Sequence, residues 1–317
     1  MHKFPQTLRC PAKVNWTLKV GPKKASGLHR VETLMLALGL HDTLRLQLDP
    51  AVPKGSMALK IQGPASSADI PTDARNLVLR AATRVAELHA TAYSELPCGL
   101  SFELDKQIPS QAGLGGGSSN AAAAAMCLLM GLDGEWCEAD LLELLQDLGS
   151  DCPFFGHVLF HSHDPGQATN SALCFDQGQR VVRQVESAPA LELCVLTPGE
   201  ACPTGAIYSA LQYSRGDLPE QPQPQSWGDL RAARCNDLEP AALEAVPELK
   251  AWREVLSDYD PSAFQLSGSG SSFYGVIPSG QDSGAWYAGL LQHLEARELK
   301  PRFQWLGPLS PVGLLES

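Results

Sequence analysis

The sequence predicts an α+β chain of two domains, on three observations. Segments with a strict period of two, Lys13 to Val20 and Asp42 to Leu48, read as half-buried antiparallel strands of one sheet. A strand, a glycine-rich turn and an alanine-rich helix follow one another between Leu100 and Met130, and from Leu191 to Leu306 strands and helices alternate again. The 317 residues suit about two domains of ordinary size.

Taken in order, Pro, Ser and Gly between Pro50 and Thr72 interrupt a short strand, Ala58 to Gln62, which reads as a hairpin and a surface loop. Asn76 to His89 carries Leu77, Leu79, Val85 and Leu88 at helical spacing, with Asn76 or Asp73 as the cap. Leu100 to Leu104 is a strand leading into the glycine loop, after which Ser118-Ser119-Asn120 offers cap oxygens to a helix over Ala121 to Met130. A helix over Ala139 to Leu148 ends at Gly149, and Ser150-Asp151-Cys152-Pro153 has the residues of a further helix entry. Gly156 to Gln179 shows no regular period. Leu191 to Thr197 is a strand, Thr204 to Leu211 and Glu239 to Ser257 are helices, and Leu218 to Gln225 is an exposed Pro/Gln-rich loop. Ala263 to Leu266 runs into a second glycine turn, Ser267 to Ser271, before a strand over Ser272 to Ile277, a helix over Gly284 to Leu299 and a last strand, Phe303 to Leu306.

A formal net charge of −11 argues against broad attraction to nucleic acid or an anionic membrane, while a few oriented amides and one lysine can still hold a phosphate. The nine cysteines form no CxxC pair or framework, as expected of reduced thiols. Met1 to Pro5 lacks a signal-peptide pattern and no apolar run is long enough to span a bilayer, so a cytoplasmic protein is expected.

The chemistry-bearing segment is Gly113-Leu114-Gly115-Gly116-Gly117-Ser118-Ser119. Between a strand and a helix, glycines let backbone amides converge, and the helix N-terminus adds partial positive charge; together they make a phosphate cradle. A Walker A loop would end in Gly-Lys-Ser/Thr, and no lysine stands there. The surroundings do not read as repeated βαβ units, which weighs against a dinucleotide fingerprint. The bland alternative is a flexible turn before an alanine-rich helix.

With this loop, Pro11-Ala12-Lys13-Val14-Asn15 and Leu266 to Ser271, in that order along most of the chain, the sequence resembles the galactokinase, homoserine kinase, mevalonate kinase and phosphomevalonate kinase (GHMP) superfamily. Gly27-Leu28-His29, Leu148 to Phe155 and Asn236-Asp237-Leu238-Glu239 make it similar, within that superfamily, to the 4-diphosphocytidyl-2-C-methyl-D-erythritol kinase family. The resemblance implies a ribosomal-protein-S5-like N-terminal domain over 1–187, a ferredoxin-like C-terminal domain over 188–317, and an active site between them. It implies transfer of the ATP γ-phosphate, with Mg²⁺, to the 2-hydroxyl of a cytidine diphosphate-linked methylerythritol in non-mevalonate isoprenoid synthesis. The oligomeric state, monomer or homodimer, is left open.

The same resemblance assigns roles. Asp151 matches the family's catalytic aspartate and Lys13 its catalytic lysine; Asn15 would position the methylerythritol hydroxyls. His29 corresponds to the cytosine-reading histidine, Tyr208 to the aromatic stacked on the base, and Thr204 to a hydroxyl lining that site. Taken singly, Asp151 also reads as a helix cap and Tyr208 as a core aromatic. Position 28 is leucine where the family usually has tyrosine, so one aromatic wall around the base is absent, and the chain after Phe155 departs from the family pattern. Two rival functions share these residues: a GHMP-type kinase with another alcohol acceptor, and a non-catalytic nucleotide-binding paralogue. His157, His161 and His163 with Asp164 have zinc-type donors, but the stretch reads as a polar surface insertion and no metal ligand is assigned. Lys106 stands near the nucleotide loop and reads equally as a solvated lysine.

Overall fold

The computed structural model describes residues 4, 6–25, 27–132, 135–162, 169–183, 188–212, 215–220, 226–227 and 233–310. Two sheets carry the architecture. The first has seven strands, β1 (Gln6–Lys23), β2 (His29–Asp49), β3 (Met57–Gln62), β4 (Gly99–Asp105), β5 (Ser171–Asp176), β6 (Arg180–Arg183) and β8 (Cys235–Asn236). The second has four, in the order β11 (Phe303–Pro308), β7 (Glu192–Thr197), β10 (Phe273–Val276) and β9 (Phe264–Leu266).

The antiparallel pairing of β1 with β2 agrees with the sequence, but both strands are far longer than the alternating segments that revealed them. Residues 31–40 of β2 escape the period-two test because Val31, Leu34, Met35, Leu36, Ala37 and Leu38 are all buried, so this half of the strand has no solvent face to alternate with. β5 hides for the same reason, within the stretch that showed no period. β3 does not form a hairpin with its predecessor; it pairs in parallel with β4.

Nine helices are found among the described residues. The first, α1 (Leu77–Leu88), is capped by the Asn76 side chain, which accepts from Val78 N at 2.9 Å. After the short α2 (Ala90–Ser94), α3 (Gly116–Gly131) lies sandwiched against the first sheet and α1, and its five consecutive alanines are fully buried. Small side chains on every face let backbone and neighbours approach closely, which is why this helix shows no amphipathic stripe. α3 starts at Gly116, several residues before the predicted start, with Gly115 as its N-cap. α4 (Glu138–Gln146) and α5 (Cys152–His161) complete that layer. In the second half, α6 (Thr204–Ala210) borders the cleft, and the single helix expected over 239–257 is broken at Val246-Pro247 into α7 (Glu239–Ala245) and α8 (Glu248–Tyr259), proline having no amide hydrogen to continue the ladder. α9 (Ser283–Glu295) packs Trp286, Leu290 and Leu294 into the second core.

The halves are locked together at the irregularities of β1. Its ladder shifts register between Asn15 and Thr17, and such a bulge turns carbonyls out of the ladder. Those carbonyls are taken up by the second sheet: Gln265 Nε2 donates to Asn15 O and Trp16 O, both at 3.2 Å, and the buried Tyr274 hydroxyl donates to Asn15 O at 3.1 Å. β8, from the second half of the chain, adds to the edge of the first sheet beside β1. The boundary expected near residue 187 falls at 184–187, outside the described residues, as does most of the Pro/Gln-rich loop.

Candidate active site

A second irregularity of β1 sets up the glycine loop. The ladder shifts between Pro11 and Lys13, where proline has no N–H to offer, and the Lys13 amide donates to Leu114 O at 2.9 Å instead. The loop is thereby tied to β1. Gly113 and Gly115 hold φ of +75° and +71°, a region open to glycine at little cost. A Cβ at Gly115 would lie 2.9 Å from the Phe155 ring and 3.0 Å from Lys13 Cγ, so the position is closed to other residues on space as well. With Gly115 as the cap, no side chain occupies the first amides of α3, which face a cleft of about 470 Å³. Ser118 and Ser119 lie inside the first turn of α3 and are not its cap. The Ser119 hydroxyl is buried without a partner among the described residues, and Ser118 hydrogen-bonds the Cys152 thiol. Burial, above all, pushes that thiol up to about 12, so it stays neutral.

On the wall of the same cleft, Lys13 Nζ stands 3.5 Å from Asp151 Oδ2. Lys13 is 3% exposed, so its charge needs polar company. Asn15 Oδ1 accepts from it at 2.5 Å, Asn15 Nδ2 donates to Thr33 Oγ1 at 2.8 Å, and Thr33 Oγ1 donates to Thr17 O at 2.6 Å. This chain crosses from β1 to β2 and back, fixing the ammonium by hydrogen bonds whose partners are themselves fixed. Asp151 occupies the N-cap position of α5, yet its side chain caps nothing; the carboxylate is free to face Lys13 and the cleft. The cap alternative for Asp151 is thus met by the backbone position alone.

Farther along, a second cavity of about 550 Å³ shares Ser150, Gln177, Thr204 and Tyr208 with the first. His29 and Tyr208 border it with ring centroids 5.8 Å apart, and His29 Nδ1 is held at 2.9 Å from Gly21 O. That bond directs the other ring nitrogen away from β1. Burial, helped by the Asp151 charge, raises the Tyr208 phenol to about 12, so it acts as a neutral ring. Thr204 Oγ1 lies 3.0 Å from Ser269 Oγ. Leu28 is 53% exposed at the rim of this cavity.

The second glycine turn braces the first. Ser267 Oγ donates to Gly113 O at 3.0 Å and Ser272 N to Ala112 O at 3.2 Å, while a Cβ at Gly268 would lie 3.4 Å from Lys13 Nζ. Asn236 Nδ2 donates to Leu266 O and Gly268 O, both at 2.8 Å, which accounts for the Asn-Asp-Leu-Glu segment. Lys106 is not solvated: it is buried in an ion pair with Asp42, whose other oxygen accepts from Gln107 N at 2.7 Å and Ile108 N at 2.8 Å. This pair anchors the strand end that enters the glycine loop.

Sequence reasoning missed Thr33 and Asp42. A signal existed for the first, since Glu32 and Thr33 interrupt an otherwise apolar run and are both buried. The histidine stretch is also corrected. His157 and His161 do not belong to a polar surface insertion; they are buried on α5, while His163 and Asp164 lie outside the described residues.

Comparison with known proteins bears on this geometry. The family model for the GHMP kinases N terminal domain matches residues 76–157, which contain the glycine loop and Asp151, and that for the GHMP kinases C terminal matches 216–296. A protein of Pelotomaculum thermopropionicum named 4-diphosphocytidyl-2-C-methyl-D-erythritol kinase is 32% identical over 84% of this chain and 86% of its own length. The chain belongs to that family. A chloroplastic relative of the same name from Mentha piperita is 34% identical over 85% of this chain, and one from Arabidopsis thaliana 30% identical over 84%. The chain spans 63% and 66% of the length of these two plant family members. A crystal structure of 4-(cytidine 5'-diphospho)-2C-methyl-D-erythritol kinase superposes with a TM-score of 0.67 at 29% identity, covering 96% of this chain and 99% of the other. A homoserine kinase from Cytophaga hutchinsonii, at 17% identity and a TM-score of 0.62 over 99% of this chain and 96% of its own, shares the two-domain α+β GHMP fold alone.

Proposed function

We propose that the protein is an ATP-dependent kinase that phosphorylates the 2-hydroxyl of 4-diphosphocytidyl-2-C-methyl-D-erythritol. The observation that carries this reading is the position of the Lys13–Asp151 pair in a cleft that joins the amides of the glycine loop to the His29–Tyr208 wall. The loop amides, Gly113 to Gly117 with Ser118 and Ser119, cradle the phosphates of ATP, which arrives as its Mg²⁺ complex. The polar lining of that cleft suits a magnesium ion that keeps phosphate and water oxygens as its ligands, which leaves the Asp151 carboxylate to the acceptor hydroxyl. Asp151 takes the proton of the acceptor hydroxyl as its oxygen bonds to the γ-phosphorus and the bond to the β-phosphate oxygen breaks, releasing ADP. Lys13 holds the Asp151 carboxylate in place through their 3.5 Å ion contact and balances charge on the attacking oxygen. Asn15 orients Lys13 and meets the methylerythritol hydroxyls; His29 reads the cytosine edge, Tyr208 stacks on its face, and Thr204 lines the pocket.

We place the domain division at 187/188 and the protein in the cytoplasm. No helix among the described residues is long and apolar enough to cross a membrane. The exposed Leu28 favours one second reading, the same centre serving another alcohol. An ATP-consumption assay with the cytidine diphosphate acceptor and with mevalonate separates the two: turnover on the former supports the proposal, and turnover on mevalonate alone overturns it. Nucleotide binding without turnover on either would identify a non-catalytic paralogue.

A further inference from the structure

Away from the cleft, the α4–α5 layer holds a cluster that the phosphoryl-transfer chemistry does not use. His157 and His161 are four residues apart on α5, which places both rings on one helical face, with centroids 4.7 Å apart. Glu138, the first residue of α4, lies opposite. His157 Nδ1 is 2.5 Å from Glu138 Oε1 and His161 Nε2 is 3.1 Å from Glu138 Oε2, and one donor atom from each of the three residues falls within 4.8 Å of the other two.

We propose that Glu138, His157 and His161 form a divalent transition-metal site of the zinc class. Two imidazoles, which are borderline donors, together with one carboxylate suit Zn²⁺ or Co²⁺ and not the all-oxygen preference of Mg²⁺ or Ca²⁺. The donors are already gathered on two helices. Metal–ligand bonds of about 2.0–2.2 Å need only a small outward swing of the carboxylate, the one flexible member of the set. The two rings are 2% and 7% exposed, whereas the Glu138 side chain is 30% exposed and gives an ion a way in. His157 Nε2 is buried with no partner among the described residues, so the polar contact of this ring is the one on the Glu138 side. Three protein ligands leave a fourth position for water. An ion there would clamp the start of α4 to α5, the helix whose N-terminal end carries Asp151.

The test uses the whole chain, stripped with a chelator and free of nucleotide, titrated with Co²⁺ while visible absorption is recorded. One equivalent should produce the d–d bands of a low-symmetry nitrogen/oxygen site, and one equivalent of Zn²⁺ should abolish them and raise the unfolding temperature. Glu138→Gln and His161→Gln should each lose the bands and the Zn²⁺-dependent stabilisation, while Cys137→Ser, which alters the exposed thiol next to Glu138, should keep both. Circular dichroism of the stripped variants establishes that they fold. Should His161→Gln fail to fold, Glu138→Gln, whose carboxylate is the partly exposed member, decides the matter. Absence of one-equivalent binding in the native chain, or its persistence in Glu138→Gln, or its loss in Cys137→Ser, overturns the proposal. None of these readouts depends on kinase turnover.

Discussion

Lys13 Nζ lies 3.5 Å from Asp151 Oδ2, a contact that joins the first strand of the chain to the first turn of its fifth helix. The two residues are separated by most of the N-terminal half, and everything between them serves to bring this ammonium and this carboxylate to one edge of the cleft. Replacing Asp151 with asparagine keeps the shape and removes the carboxylate proposed as the proton acceptor. Turnover should fall by about 10²–10⁴-fold with the affinity for ATP nearly unchanged. Steady-state kinetics with a nucleotide-binding titration checks this; an equal loss of both would make Asp151 a structural residue.

Thr33 is the far end of the chain that holds Lys13. Thr33→Val removes the hydroxyl that accepts from Asn15 Nδ2 and leaves that buried amide without its partner. A stability loss of about 1–3 kcal/mol is expected, from the cost of an unmet buried donor. The value of kcat should fall more than the KM for ATP rises, because Asn15 is then free to turn away from Lys13. Denaturant unfolding and initial rates measure the two effects separately.

Tyr208→Ala should weaken the cytidine-bearing substrate selectively. Stacking on one base is worth roughly 1–3 kcal/mol, which corresponds to about a 5- to 150-fold rise in KM for that substrate. The KM for ATP should stay within about two-fold, since the second cavity that Tyr208 borders with His29 is not lined by the glycine loop. Tyr208→Phe should be nearly silent, the phenol being neutral through the physiological range.

Gly115→Ala tests the cradle. The added methyl meets the Phe155 ring at 2.9 Å in a backbone conformation with φ of +71°. Strain of about 1–3 kcal/mol is expected, with loss of ATP binding ahead of global unfolding. Gly117→Ala, where the nearest foreign atom is 3.7 Å away, should retain the fold and serves as the control.

Asp42→Asn leaves Lys106 buried without its counter-charge. Breaking such a pair costs about 3–5 kcal/mol. A lowered unfolding temperature by calorimetry is the expected result. Lys106→Met together with Asp42→Asn should recover part of it, since the unpaired charge is then gone.

How much of this was legible in the sequence depends on what kind of signal each element sends. The Asp42–Leu48 strand and α1 announced themselves by period, and the glycine loop by composition; Lys13–Val20 alternates too, but its polar face, Lys13, Asn15 and Thr17, is buried in the site and not half-exposed as expected. The buried half of β2, strand β5 and the early start of α3 did not, because these segments are covered mostly by apolar neighbours and carry apolar or small residues on both faces. The break at Val246-Pro247 was visible as a proline but was outweighed by the apolar spacing on either side.

By itself, the sequence determined the two-domain α+β class, the glycine-rich loop between a strand and a helix, and the motifs by which Lys13, Asp151, His29 and Tyr208 were singled out. Those are local properties: backbone freedom at Gly113 and Gly115, donor and acceptor types, and spacing along the chain. Only the tertiary structure decided that Asp151 faces Lys13 and caps no amide, that Asn15 and Thr33 hold the ammonium, that Lys106 belongs to Asp42, and that Glu138 reaches across to His157 and His161. Each of these is a contact between elements distant in the chain. Its energy comes from burial and pairing that exist only once the two sheets and their helices have closed around it.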